Sequence, residues 1–134
     1  MDKNQLISEI LLLPIKMKSS PCKSFYAYVM DIQNESAGIE LSCNDIRDAL
    51  KSHSNFIQDW IVYSEDQRCS DAWYFRKSES TAYEVGLYVD KEGYKFVTMY
   101  EDAALACAVF IQKSLSDYMK ITGNGVTHKG THTC

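Results

Sequence analysis

Tyr83-Glu84-Val85-Gly86-Leu87-Tyr88-Val89, then Asp90-Lys91-Glu92-Gly93, then Tyr94-Lys95-Phe96-Val97-Thr98-Met99 is the stretch that decides the class of fold. In an extended chain Tyr83, Val85, Leu87 and Val89 point one way while Glu84, Gly86 and Tyr88 point the other, the period of two that a half-buried strand requires. The four polar residues between the two runs end in Gly93, which takes positive φ without a Cβ clash, so the pair reads as a hairpin. Moving toward the N-terminus, Ala72-Trp73-Tyr74-Phe75 and Trp60-Ile61-Val62-Tyr63 are further apolar runs bounded by polar, turn-forming residues. They extend the expected meander to four antiparallel strands. Phe25, Ala27 and Val29 alternate with Tyr26, Tyr28 and Met30, which predicts a fifth strand.

Helical spacing takes over on both sides of this region. Asp102 stands where an N-cap belongs, and Ala104, Cys107, Ala108, Ile111, Leu115 and Tyr118 form the apolar stripe of a helix that should lie across the sheet. Leu6, Ile7, Ile10, Leu11 and Leu13 predict a short first helix ending at Pro14, followed by a loop over 16–23. Ser42 with Asp45 three residues on resembles a capping box, and Ile46, Ala49, Leu50 and His53 share a face of a helix from Cys43 to Ser52. Gly123-Asn124-Gly125 ends the ordered pattern. The expectation is an α+β fold, an antiparallel four- to five-stranded meander with helices packed on one face, in which 1–122 make a single domain and 123–134 a flexible C-terminal tail.

The composition fits that size of fold and narrows the partners. The chain has 134 residues, 46% hydrophobic and 24% charged, enough to bury a core and far from the profile of disorder. A formal charge of −4, from 14 Lys+Arg against 18 Asp+Glu, has the wrong sign for holding a phosphate backbone, so direct nucleic-acid binding is not expected. The five cysteines (Cys22, Cys43, Cys69, Cys107 and Cys134) are irregularly spaced and contain no C-x-x-C pair, unlike a disulfide framework or a zinc module. The start, Met1-Asp2-Lys3-Asn4-Gln5, lacks the basic region of a signal peptide, and the run from Ile10 to Ile15 is too short to span a bilayer. A cytoplasmic protein without membrane attachment is expected.

Catalytic signatures are sparse. A nucleophile elbow, a phosphate loop, a dinucleotide fingerprint and an H-E-x-x-H pair are all missing from the sequence. His128, His132 and Cys134 resemble a small metal cluster, but Lys129-Gly130-Thr131 argues against the helix that would bring the two imidazoles together, and a closed site needs a fourth ligand. His53 reads as the end of a helix, where a positive charge suits the dipole. Cys69, beside Arg68, has the setting of a reactive thiol without a recognisable base. No cofactor and no metal site are expected.

A binding surface is the better-supported reading. Glu65, Asp66, Asp71, Glu79, Glu84, Asp90 and Glu92 fall in the loops and on the solvent side of the expected meander. Tyr74 and Tyr88 are interleaved with them. Carboxylates bring a basic partner in, and tyrosines anchor it once docked. These nine residues are the candidate partner-binding site.

The segments Trp73-Tyr74-Phe75, Tyr83-Glu84-Val85-Gly86-Leu87-Tyr88 and Tyr100-Glu101-Asp102, leading into Ala106-Cys107-Ala108-Val109-Phe110-Ile111, resemble small bacterial immunity proteins of polymorphic-toxin and contact-dependent growth-inhibition systems. The resemblance runs from about residue 59 to about residue 115; the first half carries none. It implies a cytoplasmic inhibitor, without enzymatic activity, that occludes the active site of a cognate toxin domain, often a nuclease with a basic cleft; a monomer is favoured, while the sheet edges leave pairing with a second copy open. Two other classes fit the residues alone: a protein-interaction or adaptor module unrelated to toxins, and a small enzyme built around Cys69, His53 and loop carboxylates.

Overall fold

The computed structural model describes residues 1–20, 22–66 and 71–123. Six helices and five strands follow in the order α1 (Lys3–Leu11), α2 (Leu13–Ser19), α3 (Phe25–Glu35), β1 (Leu41–Ser42), α4 (Cys43–Ser52), α5 (Asn55–Asp66), β2 (Ala72–Lys77), β3 (Tyr83–Val89), β4 (Gly93–Tyr100), α6 (Ala103–Leu115) and β5 (Ile121–Thr122). The fold is α+β. Its main sheet has three antiparallel strands in the order β2-β3-β4, and β1 and β5 form a separate two-stranded parallel pair. The expected meander of four to five strands is thus corrected to three.

Both lost strands are helices, for a shared reason. Trp60-Ile61-Val62-Tyr63 lies inside α5, since a run of four apolar residues satisfies either period and only its flanks decide. No turn residue interrupts 55–66, so the run continues as three helical turns with Trp60 fully buried. The segment around Phe25 starts as a helix because the Ser24 side chain accepts a hydrogen bond from the Ala27 N–H. Val29 and Ile32 then face the core, with Phe25 and Tyr28 packed against it at helical spacing. The alternation at 25–30 set Phe25, Ala27 and Val29 against Tyr26, Tyr28 and Met30, and with large apolar side chains in both sets it marks no inside and outside. Pro14 does not end helical structure either. It occupies the first turn of α2, where its missing N–H costs nothing, and the loop expected from Lys16 is helical as far as Ser19.

Other boundaries follow their local chemistry. Ser42 and Asp45 make the reciprocal capping box at the head of α4. Burial pushes the Asp45 carboxyl upward in pKa, but hydrogen bonds from Lys3 and Ser42 outweigh it, and the carboxyl ends below its ordinary value. Asp102 accepts from the N–H groups of Ala104 and Leu105 at 3.0 and 3.2 Å, and Arg47 of α4 reaches the same carboxylate at 3.1 Å. That ion pair ties α4 to the start of α6, the helix it packs on. After α6 the chain turns back, and Gln112 holds β5 by donating to the Ile121 carbonyl at 2.8 Å.

The core lies between the helices and one face of the three-stranded sheet. Phe75 of β2, Val85 of β3 and Tyr100 of β4 point inward, where Phe110 and Ile111 of α6 and Trp60 of α5 meet them. Trp60, Phe75 and Tyr63 all approach the Phe110 ring, with centroids 5.7–6.3 Å away. Helices therefore cover one face of the sheet, as expected. Cys107 is buried in α6, and burial pushes its thiol well above the ordinary range. Cys43, at the head of α4, is buried as well. Among the described residues, no helix is long and apolar enough to cross a membrane.

Candidate functional site

The face of the sheet away from α6 is built by register. Antiparallel pairing sets Arg76 opposite Glu84, Tyr74 opposite Gly86, and Tyr88 opposite Tyr94. Gly86 makes the arrangement possible. A Cβ on Gly86 would lie 2.7–2.9 Å from the Tyr74 ring, so the ring occupies the space a side chain would have taken. Lying over the central strand, Tyr74 meets Tyr94 edge to face at 5.4 Å, and Tyr94 meets Tyr88 at 5.2 Å.

One ion pair organises the cluster. The Arg76 guanidinium lies 5.0 Å from both the Tyr74 and the Tyr94 ring centroids and donates to Glu84 Oε2 at 3.0 Å. The Tyr74 hydroxyl donates to that same Glu84 oxygen. Burial first, and the Glu84 carboxylate second, hold the Tyr74 phenol well above the ordinary tyrosine value. Arg76 is also raised: burial acts against its charge but is outweighed by Glu84 and Tyr94. Tyr94 itself stays 56% exposed and Tyr88 39%, with Val97 and Met99 also exposed on β4.

The pairing of β3 with β4 shifts by one residue between Val85 and Leu87, so two β4 residues, Phe96 and Val97, stand opposite Gly86. Phe96 takes φ 55° at this bulge, a conformation that costs a non-glycine residue about 1–2 kcal/mol. Its ring is 72% exposed and stacks on Trp73 at 6.3 Å. At the other edge of the sheet the Phe75 N–H donates to Ser64 Oγ of α5 at 2.8 Å, which occupies a backbone group of β2.

The nine candidate residues do not form one acidic patch. Tyr74, Glu84 and Tyr88 converge in the cluster. Asp71, Asp90 and Glu92 gather at the β3–β4 turn, where Asp71 accepts from the Asp90 N–H at 3.2 Å and Glu92 pairs with Lys95 at 2.6 Å. Glu79 stands at the opposite end of the sheet, in the loop between β2 and β3. Glu65 and Asp66 close α5, adding exposed carboxylates to the negative end of its dipole. Glu84, expected as a solvent-facing acid, is only 14% exposed and is engaged by two donors.

Arg76 and Tyr94 were not anticipated. The signal for both was cross-strand register: a hairpin closed at Gly93 puts Tyr94 beside Tyr88, and one from β2 to β3 puts Arg76 beside Glu84. Elsewhere, His53 is the C-cap of α4 and stacks edge to face with Phe56 at 6.2 Å. It borders a pocket of about 400 Å3 with Ile7, Leu11 and Ala49, whose lining has no carboxylate or cysteine. The other candidates for chemistry, Cys69 with Arg68 and the group His128, His132 and Cys134, lie outside the described residues. Among the described residues, no group of three or more His, Cys, Asp or Glu side chains is placed to hold a metal ion.

The site is thus a pre-arranged tyrosine–arginine surface with acids at its margins. In comparisons with protein-family models, curated proteins and solved structures, nothing matches the chain.

Proposed function

We propose that the protein is an immunity-type inhibitor that binds a cognate toxin domain through the uncovered face of its three-stranded sheet and blocks that domain's active site. The carrying observation is the cluster of Tyr74, Tyr88 and Tyr94 around the Arg76–Glu84 pair, on a face that no described element covers. Aromatic and arginine side chains already held in place lose little entropy on docking, and such residues dominate binding energy.

Charge divides the work. Asp71, Asp90 and Glu92 at the turn, and Glu65 and Asp66 at the end of α5, speed encounter with a basic cleft; the tyrosines supply the lasting contact. A non-catalytic mechanism suffices, because a blocked cleft admits no substrate. In this reading the protein acts as a monomer in the cytoplasm, the compartment where an incoming toxin would do its damage.

Co-expression with the product of the gene immediately upstream tests the proposal. Expected is rescue of growth and a stable one-to-one complex, both lost when Tyr88 and Tyr94 are changed to alanine. Failure to bind or neutralise that product would sink the toxin reading, and binding without any toxicity to relieve would point to an adaptor.

A further inference from the structure

We propose that Arg76 reads a carboxylate on the protein partner, so that the centre of the face selects an acidic residue while its margin selects basic ones. This rests on the uncovered sheet face being the partner-binding surface, whoever the partner is. Exposure decides the sign of the centre. Arg76 is 47% exposed and Glu84 only 14%, so what a docking surface meets between the tyrosines is the cation.

The guanidinium is also unsaturated. Glu84 engages it through one oxygen, Oε2, which the Tyr74 hydroxyl shares, and the Tyr94 ring flanks it at 5.0 Å. A guanidinium carries five N–H donors, more than these acceptors take up. Stacked near two rings and pinned by Glu84, it is held in one orientation. A fixed planar fork favours a planar carboxylate and gains little from a diffuse charge. The flanking Tyr94 ring would exclude water from that contact and strengthen it. A nucleic-acid phosphate would meet the same donors, but Asp71, Asp90 and Glu92 repel a polyanion, whereas a single carboxylate within a basic protein surface satisfies both zones.

Selection of a displayed random-peptide library on the full chain tests this without any toxin. The expected result is enrichment of peptides that share an Asp or Glu beside apolar residues. Affinity of a synthesised winner should then fall about tenfold or more on Arg76→Gln paired with Glu84→Gln, the loss of one charged hydrogen-bonded contact. Arg76→Lys should recover only part, because it keeps the charge without the fork, and Arg76→Glu should select basic peptides instead. Amidating the winner's C-terminus separates a side-chain carboxylate, whose binding persists, from a terminal one. Thermal melts within a few degrees of the parent certify the variants. Enrichment of peptides without an acid, no enrichment at all, unchanged affinity in the Arg76 variants, or tighter Arg76-dependent binding of a single-stranded oligonucleotide would each overturn the inference. An acidic winner alongside a failed toxin test would leave this assignment standing and remove only the immunity reading.

Discussion

The two faces of the three-stranded sheet are made by the same strands, one residue out of phase, and they are aromatic in different ways. On the covered face Phe75 sits with Phe110, Trp60 and Tyr63 in a dry cluster. On the uncovered face the Tyr74 hydroxyl donates to Glu84, Arg76 lies over the Tyr74 and Tyr94 rings, and Tyr88 and Tyr94 stay exposed. The covered face derives its energy from exclusion of water and is already satisfied. The uncovered one is ordered but unspent, with its side chains fixed by polar contacts and their surfaces still exposed. Aromatic content alone does not separate the core from the outer face; the polar partners of each ring do.

The comparison breaks most easily from the inside. Phe110→Ala removes the ring to which both α5 and β2 pack and should cost about 3–5 kcal/mol, read as a lower denaturant midpoint. Binding should disappear only where the fold does. Gly86→Val is the next largest. Strand propensity favours valine, yet its Cβ would drive into the Tyr74 ring, and the expected cost is about 1–3 kcal/mol. Pairing it with Tyr74→Ala should restore stability, and a double-mutant cycle would measure that coupling. A Gly86→Val protein as stable as the parent would mean that Tyr74 does not rest on the glycine.

Tyr88→Ala and Tyr94→Ala should lower stability by less than about 1 kcal/mol each, the scale of a cross-strand pair. Against the partner each should cost about 2 kcal/mol or more. Equal effects on both quantities would make the outer face merely a second core.

The subtlest test is an alkaline titration followed by tyrosinate absorbance. Tyr74 should ionise above the ordinary tyrosine range, and Tyr74→Phe should shrink that late component. The sign for stability follows: with the phenol raised in the fold above its unfolded value near ~10, stability is whole below that pH and is lost as pH rises through and beyond it. Tyr100, raised by burial, adds to the same limb, so Tyr74→Phe should flatten the loss without abolishing it.

Legibility in the sequence followed how many structures each pattern permitted. Ser42 and Asp45 allowed one, a helix start, and that is what they form. The β3–β4 pair was equally readable because Glu84 and Gly86 break the apolar run of β3 at alternate places and a polar turn ending in Gly93 follows it. Trp60-Ile61-Val62-Tyr63 permitted two structures, and flanks without a turn residue between 55 and 66 chose the helix. At the candidate site, Tyr74 and Tyr88 could be read from alternation along one strand. Arg76 and Tyr94 could not, because their roles arise between strands, and a search for acids passed over the cation that occupies the centre. Glu84 was misjudged for the same reason: its partners are eight and ten residues away in sequence and adjacent only in register.

The bulge at Phe96 has a consequence for assembly. A sheet of three strands has two edges on which a stranger could add a fourth, and repeated addition is the route to fibres. Ser64 blocks part of one edge, and the left-handed kink at Phe96 interrupts the regular row of donors and acceptors along the other. The hairpin is thereby made a poor template: another molecule can lie across its tyrosines, but it gains little by continuing its strands.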